Sequence, residues 1–197
     1  MPIRLIAVLI ALAGLAACLR TDPPLLRPED IVQFPDLAGD YVATRTSTQS
    51  DGPSSIDARI ENAEGGSYLV SFIEDGKPDD PTRLRLVQLH GDDYLAVLSE
   101  PQDAKDAQYG VATRAPDRSW SVKMINLKSG SRDDRLQAVV RRNGASAISF
   151  EDVKLAHTTD DMIHGPLTAP QLRALFTDPD FVSAMETSVS FDLTPKE

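Results

Sequence analysis

Cysteine, histidine and tryptophan are scarce in this chain: 197 residues hold one Cys, three His and one Trp. A lone cysteine, Cys18, excludes an internal disulfide and any zinc site built on thiolate pairs. There is no basic run either. Lys and Arg number 20 against 30 Asp and Glu, for a net charge of −10. Such a surface repels phosphates, which excludes nucleic acid as a partner and rules out electrostatic adhesion to anionic lipid. No apolar stretch approaches the roughly 20 residues that a spanning helix needs. No Gly-x-Ser-x-Gly elbow, phosphate-binding glycine loop or internal repeat is present. These absences argue against most catalytic chemistries, and the expected role is non-catalytic, with no cofactor required.

What is present begins at the N-terminus. Arg4 precedes the apolar run Leu5 to Ala13, and small residues follow. This is the layout of a secretory signal, assigned to residues 1–17. It ends in Leu15-Ala16-Ala17-Cys18. These four residues resemble the lipobox of bacterial lipoprotein precursors. The resemblance implies cleavage between Ala17 and Cys18, a diacylglycerol on the Cys18 thiol and an acyl chain such as palmitate on the new amino terminus. One chain binds a membrane only marginally, whereas two or more anchor stably. In enterobacterial lipoproteins an aspartate after the cysteine favours the inner membrane. Leu19 stands there instead, so the resemblance implies an outer-membrane anchor facing the periplasm. Residues 18–30 contain Pro23, Pro24 and Pro28. They are expected to form an extended tether holding residues 31–197 about 30 Å off the bilayer, at about 3.1 Å per residue.

Short alternating segments follow. Ile56, Ala58 and Ile60 alternate with Asp57, Arg59 and Glu61, and Glu64-Gly65-Gly66 then offers a turn before Tyr68 to Ile73. In Thr82 to Leu89, Arg83 and Arg85 oppose Leu84 and Leu86. The alternation slips at Val87, the mark of a bulge or of a strand buried on both faces. Tyr94 to Leu98, Tyr109 to Arg114 and Ser119 to Asn126 continue the series, with Trp120, Val122 and Met124 sharing a face. From residue 131 to 142 the period changes. Leu136, Val139 and Val140 lie at i, i+3 and i+4, with Asp133-Asp134 before them and Arg141-Arg142 then Asn143-Gly144 after. Acid first, base last and Asn-Gly beyond predict a helix, with Ser131 as its cap. Ala147 to Leu155 reads as a strand. Residues 168–177 read as a second helix with a Thr168/Gln171 capping box, and Thr187 to Leu193 as a closing strand.

The expected fold is therefore mainly β: an antiparallel barrel or sandwich of about seven or eight strands with two short C-terminal helices. Leu37-Ala38-Gly39-Asp40-Tyr41 resembles the start of lipocalin-like barrels, whose first strand carries Gly-x-Trp; Tyr41 takes the tryptophan's place.

Few residues offer chemistry. Trp120, Phe72 and Tyr68 fall on strands and are the candidates for an aromatic-lined ligand pocket. The densest set of metal-ligating types is His157, Asp160, Asp161 and His164. It matches no helical spacing and reads as a polar surface loop. His90 is expected at an exposed turn. Asp79-Asp80, Asp92-Asp93 and Asp133-Asp134 suit turns and helix starts better than a catalytic carboxylate pair. The functional expectation is a lipid-anchored structural or interaction module of the cell envelope; the alternative is a lipocalin-like binder of an apolar ligand. A filled barrel favours the first and an aromatic-lined cavity the second.

Overall fold

The computed structural model describes residues 19–47, 52–101, 105–131, 133–153 and 158–196. Eight strands form the body: β2 (Gly39–Ser47), β3 (Ser54–Asn62), β4 (Tyr68–Glu74), β6 (Thr82–His90), β7 (Asp93–Ser99), β8 (Ala107–Arg114), β9 (Trp120–Leu127) and β12 (Met185–Pro195). Each pairs antiparallel with its neighbour in this series. β12 then pairs with both β9 and β2, while β8 pairs with β9, so the sheet closes into a barrel. The choice between barrel and sandwich is thereby decided. Closure also removes the unpaired edges that an open sheet would expose.

Period-two alternation builds the interior. Tyr41 is opposite Ala58, and Ala58 is opposite Phe72. Tyr94, Ala112, Val122 and Phe191 form another inward row across four strands. Small residues in these rows leave room for the aromatics between them. Gly110, in a separate row opposite Ala96 and Met124, is tighter still: a Cβ there would stand 3.1 Å from the Lys123 carbonyl oxygen and 3.3 Å from the Met124 sulfur.

A second apolar layer lies outside the wall of β6, β7 and β8. Three helices cover it: α1 (Asp134–Arg142), α2 (Ala169–Thr177) and α3 (Pro179–Ala184). Two short helices were expected here; Asp178 stops α2 and caps a third, accepting from the Asp180 amide at 3.0 Å. Leu136, Val139 and Val140 of α1 are buried as their spacing predicts. The cap of α1 is Asp133, which accepts from the Leu136 amide at 3.0 Å, and not Ser131, which lies in a preceding 3-10 turn. At the other end Gly144 adopts φ +99°, returning its amide to the Arg141 carbonyl. The helical layer explains Val87. Its neighbours Leu84 and Leu86 point into the barrel, while Val87 faces outward under the helices and is fully buried. The register also shifts between Gln88 and His90.

Two expectations need correction. Residues 19–30 do not extend away from the domain. Leu19 is fully buried, and β1 (Arg20–Thr21) pairs with β8 on one side and with β11 (Thr158–His164) on the other. The Leu19 amide reaches the Ile125 carbonyl at 2.9 Å. β1 thus enters where β8 and β9 part beyond Gly110 and Met124. Further on, the Leu25 amide bonds the Leu167 carbonyl at 2.9 Å, so the prolines shape a docked segment. The second correction concerns residues 158–164. They form β11, paired along its length with β10 (Ala147–Val153), and are not a loop. A short β5 (Lys77–Pro78) folds back on β4.

Candidate functional site

Residues 31–38 plug one end of the barrel. Val32 donates to the Leu86 carbonyl at 2.8 Å, along the edge of β6 that extends past β4. Phe34 then drops between Tyr94 and Trp120, its centroid 5.1 Å from each and nearly perpendicular to both. Such edge-to-face contacts add stabilisation beyond area burial. The Arg114 guanidinium lies 5.0 Å over the Phe34 ring and ion-pairs with Asp36. Two phenols hold the backbone of the plug. The Tyr68 hydroxyl accepts from the Phe34 amide at 2.6 Å and donates to the Phe34 carbonyl at 3.1 Å. The Tyr41 hydroxyl donates to the Leu37 carbonyl at 2.8 Å. Burial raises the pKa of both phenols, favouring their protonated, donating form further.

Two of the three proposed ligand-lining residues therefore belong to this plugged end. Trp120 is 4% exposed and Tyr68 2%, so both side chains are almost wholly covered. Phe72 does not join them. It lies toward the opposite end, stacked on Phe191 at 5.6 Å. There Ile56, Leu98 and Val122 are also only partly buried, giving that mouth an apolar rim.

The acidic pairs serve turns and caps. Asp79 accepts from the Phe72 amide at 2.7 Å, and burial raises its pKa. Asp93 accepts from the Thr113 hydroxyl at 2.7 Å. His90 is exposed at the end of β6. Of the possible metal set, His157 lies outside the described residues. Asp161 and His164 do not converge: Asp161 is fully buried on one face of β11, whereas His164, on the other, meets the Ser149 hydroxyl at 2.9 Å. Among the described residues no group of three or more His, Cys, Asp or Glu could hold a metal ion. Cys18 and Ala17 also lie outside the described residues.

One feature of the outer surface has the character of a site. A groove of about 390 Å³ runs between the docked N-terminal segment and the outer face of β6. Arg83 and Arg85 lie in it, flanked by the buried hydroxyls of Ser67 and Ser99. Arg83 donates to Ser67 at 2.8 Å and to the Pro101 carbonyl at 3.1 Å; Arg85 donates to Ser99 at 3.3 Å. Burial lowers the pKa of the Arg85 guanidinium.

No family model, curated protein or solved structure matches this chain. The site must be read from its own geometry.

The sequence signal for the groove was the alternation Arg83, Leu84, Arg85, Leu86. It places two cations on one outward face. It does not show that residues 23–31 return to wall them in, because that depends on the docking of a proline-rich segment.

Proposed function

We propose that this protein is a lipid-anchored module of the bacterial cell envelope, facing the periplasm from the outer membrane and acting by contact rather than catalysis. The leader ending in Leu15-Ala16-Ala17-Cys18 carries the reading. The barrel adds support. Its plugged end is filled by Phe34, Tyr94 and Trp120, which leaves the rings unavailable to a ligand and suits a rigid module. The docking of Leu19 adds a further consequence. An acyl group on the adjacent Cys18 would be attached at the wall of the domain, and the barrel would ride close to the bilayer. Among the described residues no helix is long and apolar enough to cross a membrane; in this reading the acyl chains on Cys18 supply the anchor.

Detergent phase separation tests this. The full chain expressed in a bacterial host should enter the detergent phase with a diacylglycerol on Cys18, and Cys18→Ala should abolish the modification. A wild-type chain found in the aqueous phase with an unmodified Cys18 thiol would overturn the reading.

The apolar rim at the mouth supports the second reading, a binder of an apolar chain. Phe72, Phe191 and Val122 would make that contact at the entrance, since the deeper interior is filled.

A further inference from the structure

We propose that the groove over β6 binds a small oxyanion, carboxylate or phosphate, carried on a body with an apolar flank. The inference goes beyond membrane anchoring and does not depend on it. Arg20, Arg27, Arg59, Arg114, Arg135 and Arg142 each meet a carboxylate. Among the described residues Arg45, Arg141 and Arg173 also lack an ion pair, and Arg173 Nε is likewise buried without a partner; what distinguishes Arg83 and Arg85 is that they lie together in one groove. They stand two residues apart on one face of a strand, where like charges repel, and their hydrogen-bond partners are two hydroxyls and one carbonyl. Among the described residues neither forms an ion pair, and Arg85 Nε is buried with no hydrogen-bond partner. The charged and titratable groups around Arg85 are Arg83 and Tyr109, with Glu64 and Glu100 exposed at the rim of the groove.

A half-buried cation pair without a counter-ion is costly, and an anion between the two guanidiniums offsets that cost. The donors fit this role. Guanidinium forks match carboxylate and phosphate oxygens in bidentate fashion, and the Ser67 and Ser99 hydroxyls adjoin them. The facing wall is apolar, formed by Pro23, Leu26, Pro28 and Ile31. The volume suits a small organic molecule rather than a bare ion. The N-terminal segment completes the site, so a ligand would also hold that segment in place.

The test uses the full-length chain in an uncharged maltoside detergent, at constant ionic strength with chloride as the reference anion. The probes are inorganic phosphate, hexanoate and dihexanoylphosphatidylglycerol, followed by calorimetric titration and thermal melts. At least one probe should bind the wild type more tightly than about 1 mM. Arg85→Met and Arg83→Gln should each weaken that binding roughly tenfold or more, whereas Lys123→Gln, which removes an exposed cation of β9 outside the groove, should leave it unchanged. Without ligand, Arg85→Met should melt no lower than the wild type, because it removes an uncompensated cation. Arg85→Lys keeps the charge and loses the fork, and should bind at intermediate strength. A response to hexanoate alone assigns a carboxylate and one to the lipid alone a phosphodiester headgroup; a response to inorganic phosphate alone would overturn the apolar flank. The proposal is overturned if no probe binds below about 1 mM, or if the two arginine variants bind as well as the wild type.

Discussion

At the residue scale, the paired arginines and aspartates show how local chemistry fixes tertiary contacts. Asp178 is 9% exposed at its side chain and receives hydrogen bonds from Arg142 at 2.6 and 2.9 Å, from Asn143 at 2.8 Å and from the Asp180 amide. The Arg142 bonds hold its carboxyl well below the usual carboxylate range, against a smaller opposing effect of burial. A depressed folded-state pKa gives stability that is full above the unfolded value, about 3.9, and is lost as pH falls toward the folded one. Asp180 works in the same direction, and Asp79, raised by burial, in the opposite one. Asp178→Asn keeps an oxygen for the cap but gives up the charge. Urea melts between about pH 6 and pH 3 should therefore show a smaller acid-induced loss for the variant than for the wild type. Equal losses would mean that the ion pair contributes nothing. Trp120 makes a simpler case. Truncation to alanine empties a site packed by Phe34 and Tyr94, and denaturant melts should register a loss of about 3–5 kcal/mol. A loss under about 1 kcal/mol would contradict its burial.

At the element scale, α1 is the clearest instance of sequence pattern becoming structure. Leu136, Val139 and Val140 share one face and are each 3% exposed or less. The polar side is tied down as well. Arg135 reaches Asp180 at 2.9 Å, and Arg142 joins Asp178 and Asp180, so the exposed arginines clamp α1 to α3. The two β-branched valines lower helix propensity slightly, and burial outweighs that. Val139→Asp places an unpaired carboxylate under the helix and should destabilise by about 3 kcal/mol or more in chemical melts. If α1 were instead an edge strand, Leu136 would share a face with Ala138. Ala138 is exposed, which excludes that arrangement.

At the scale of the whole molecule, the barrel and its helical layer are joined by the N-terminal segment. β1 fills the opening where β8 and β9 part, Leu19 lies in the outer core, and residues 31–38 close the barrel from below. A chain beginning at Ile31 keeps the plug but loses β1 and Leu19. Burial of one leucine alone is worth about 2–3 kcal/mol, so the shortened chain should melt well below the longer one. Equal melting temperatures would show that residues 19–30 act only as a leash.

Local pattern determined much of this protein. Alternation in β3 and β9 specified strands because the side-chain period of two leaves one face to bury. The i, i+3, i+4 spacing and end charges of α1 specified a helix, and Thr168 with Gln171 specified the start of α2, where the Gln171 side chain accepts from the Thr168 amide at 2.9 Å. The aromatics of the barrel were legible as inward residues. Their distribution between a plugged end and a less fully buried one was not, because that depends on where Phe34 inserts. The Thr158–His164 segment looked like a loop because its strand is rich in Thr and Asp; pairing with β10 and β1 overrode that composition. The prolines of residues 23–28 suggested a free tether, since proline signals an extended backbone and says nothing of what the backbone packs on. Barrel closure, the docking of β1 and the groove around Arg83 and Arg85 were decided only by tertiary structure. Each arises from contacts between residues far apart in the chain, and no local period encodes them.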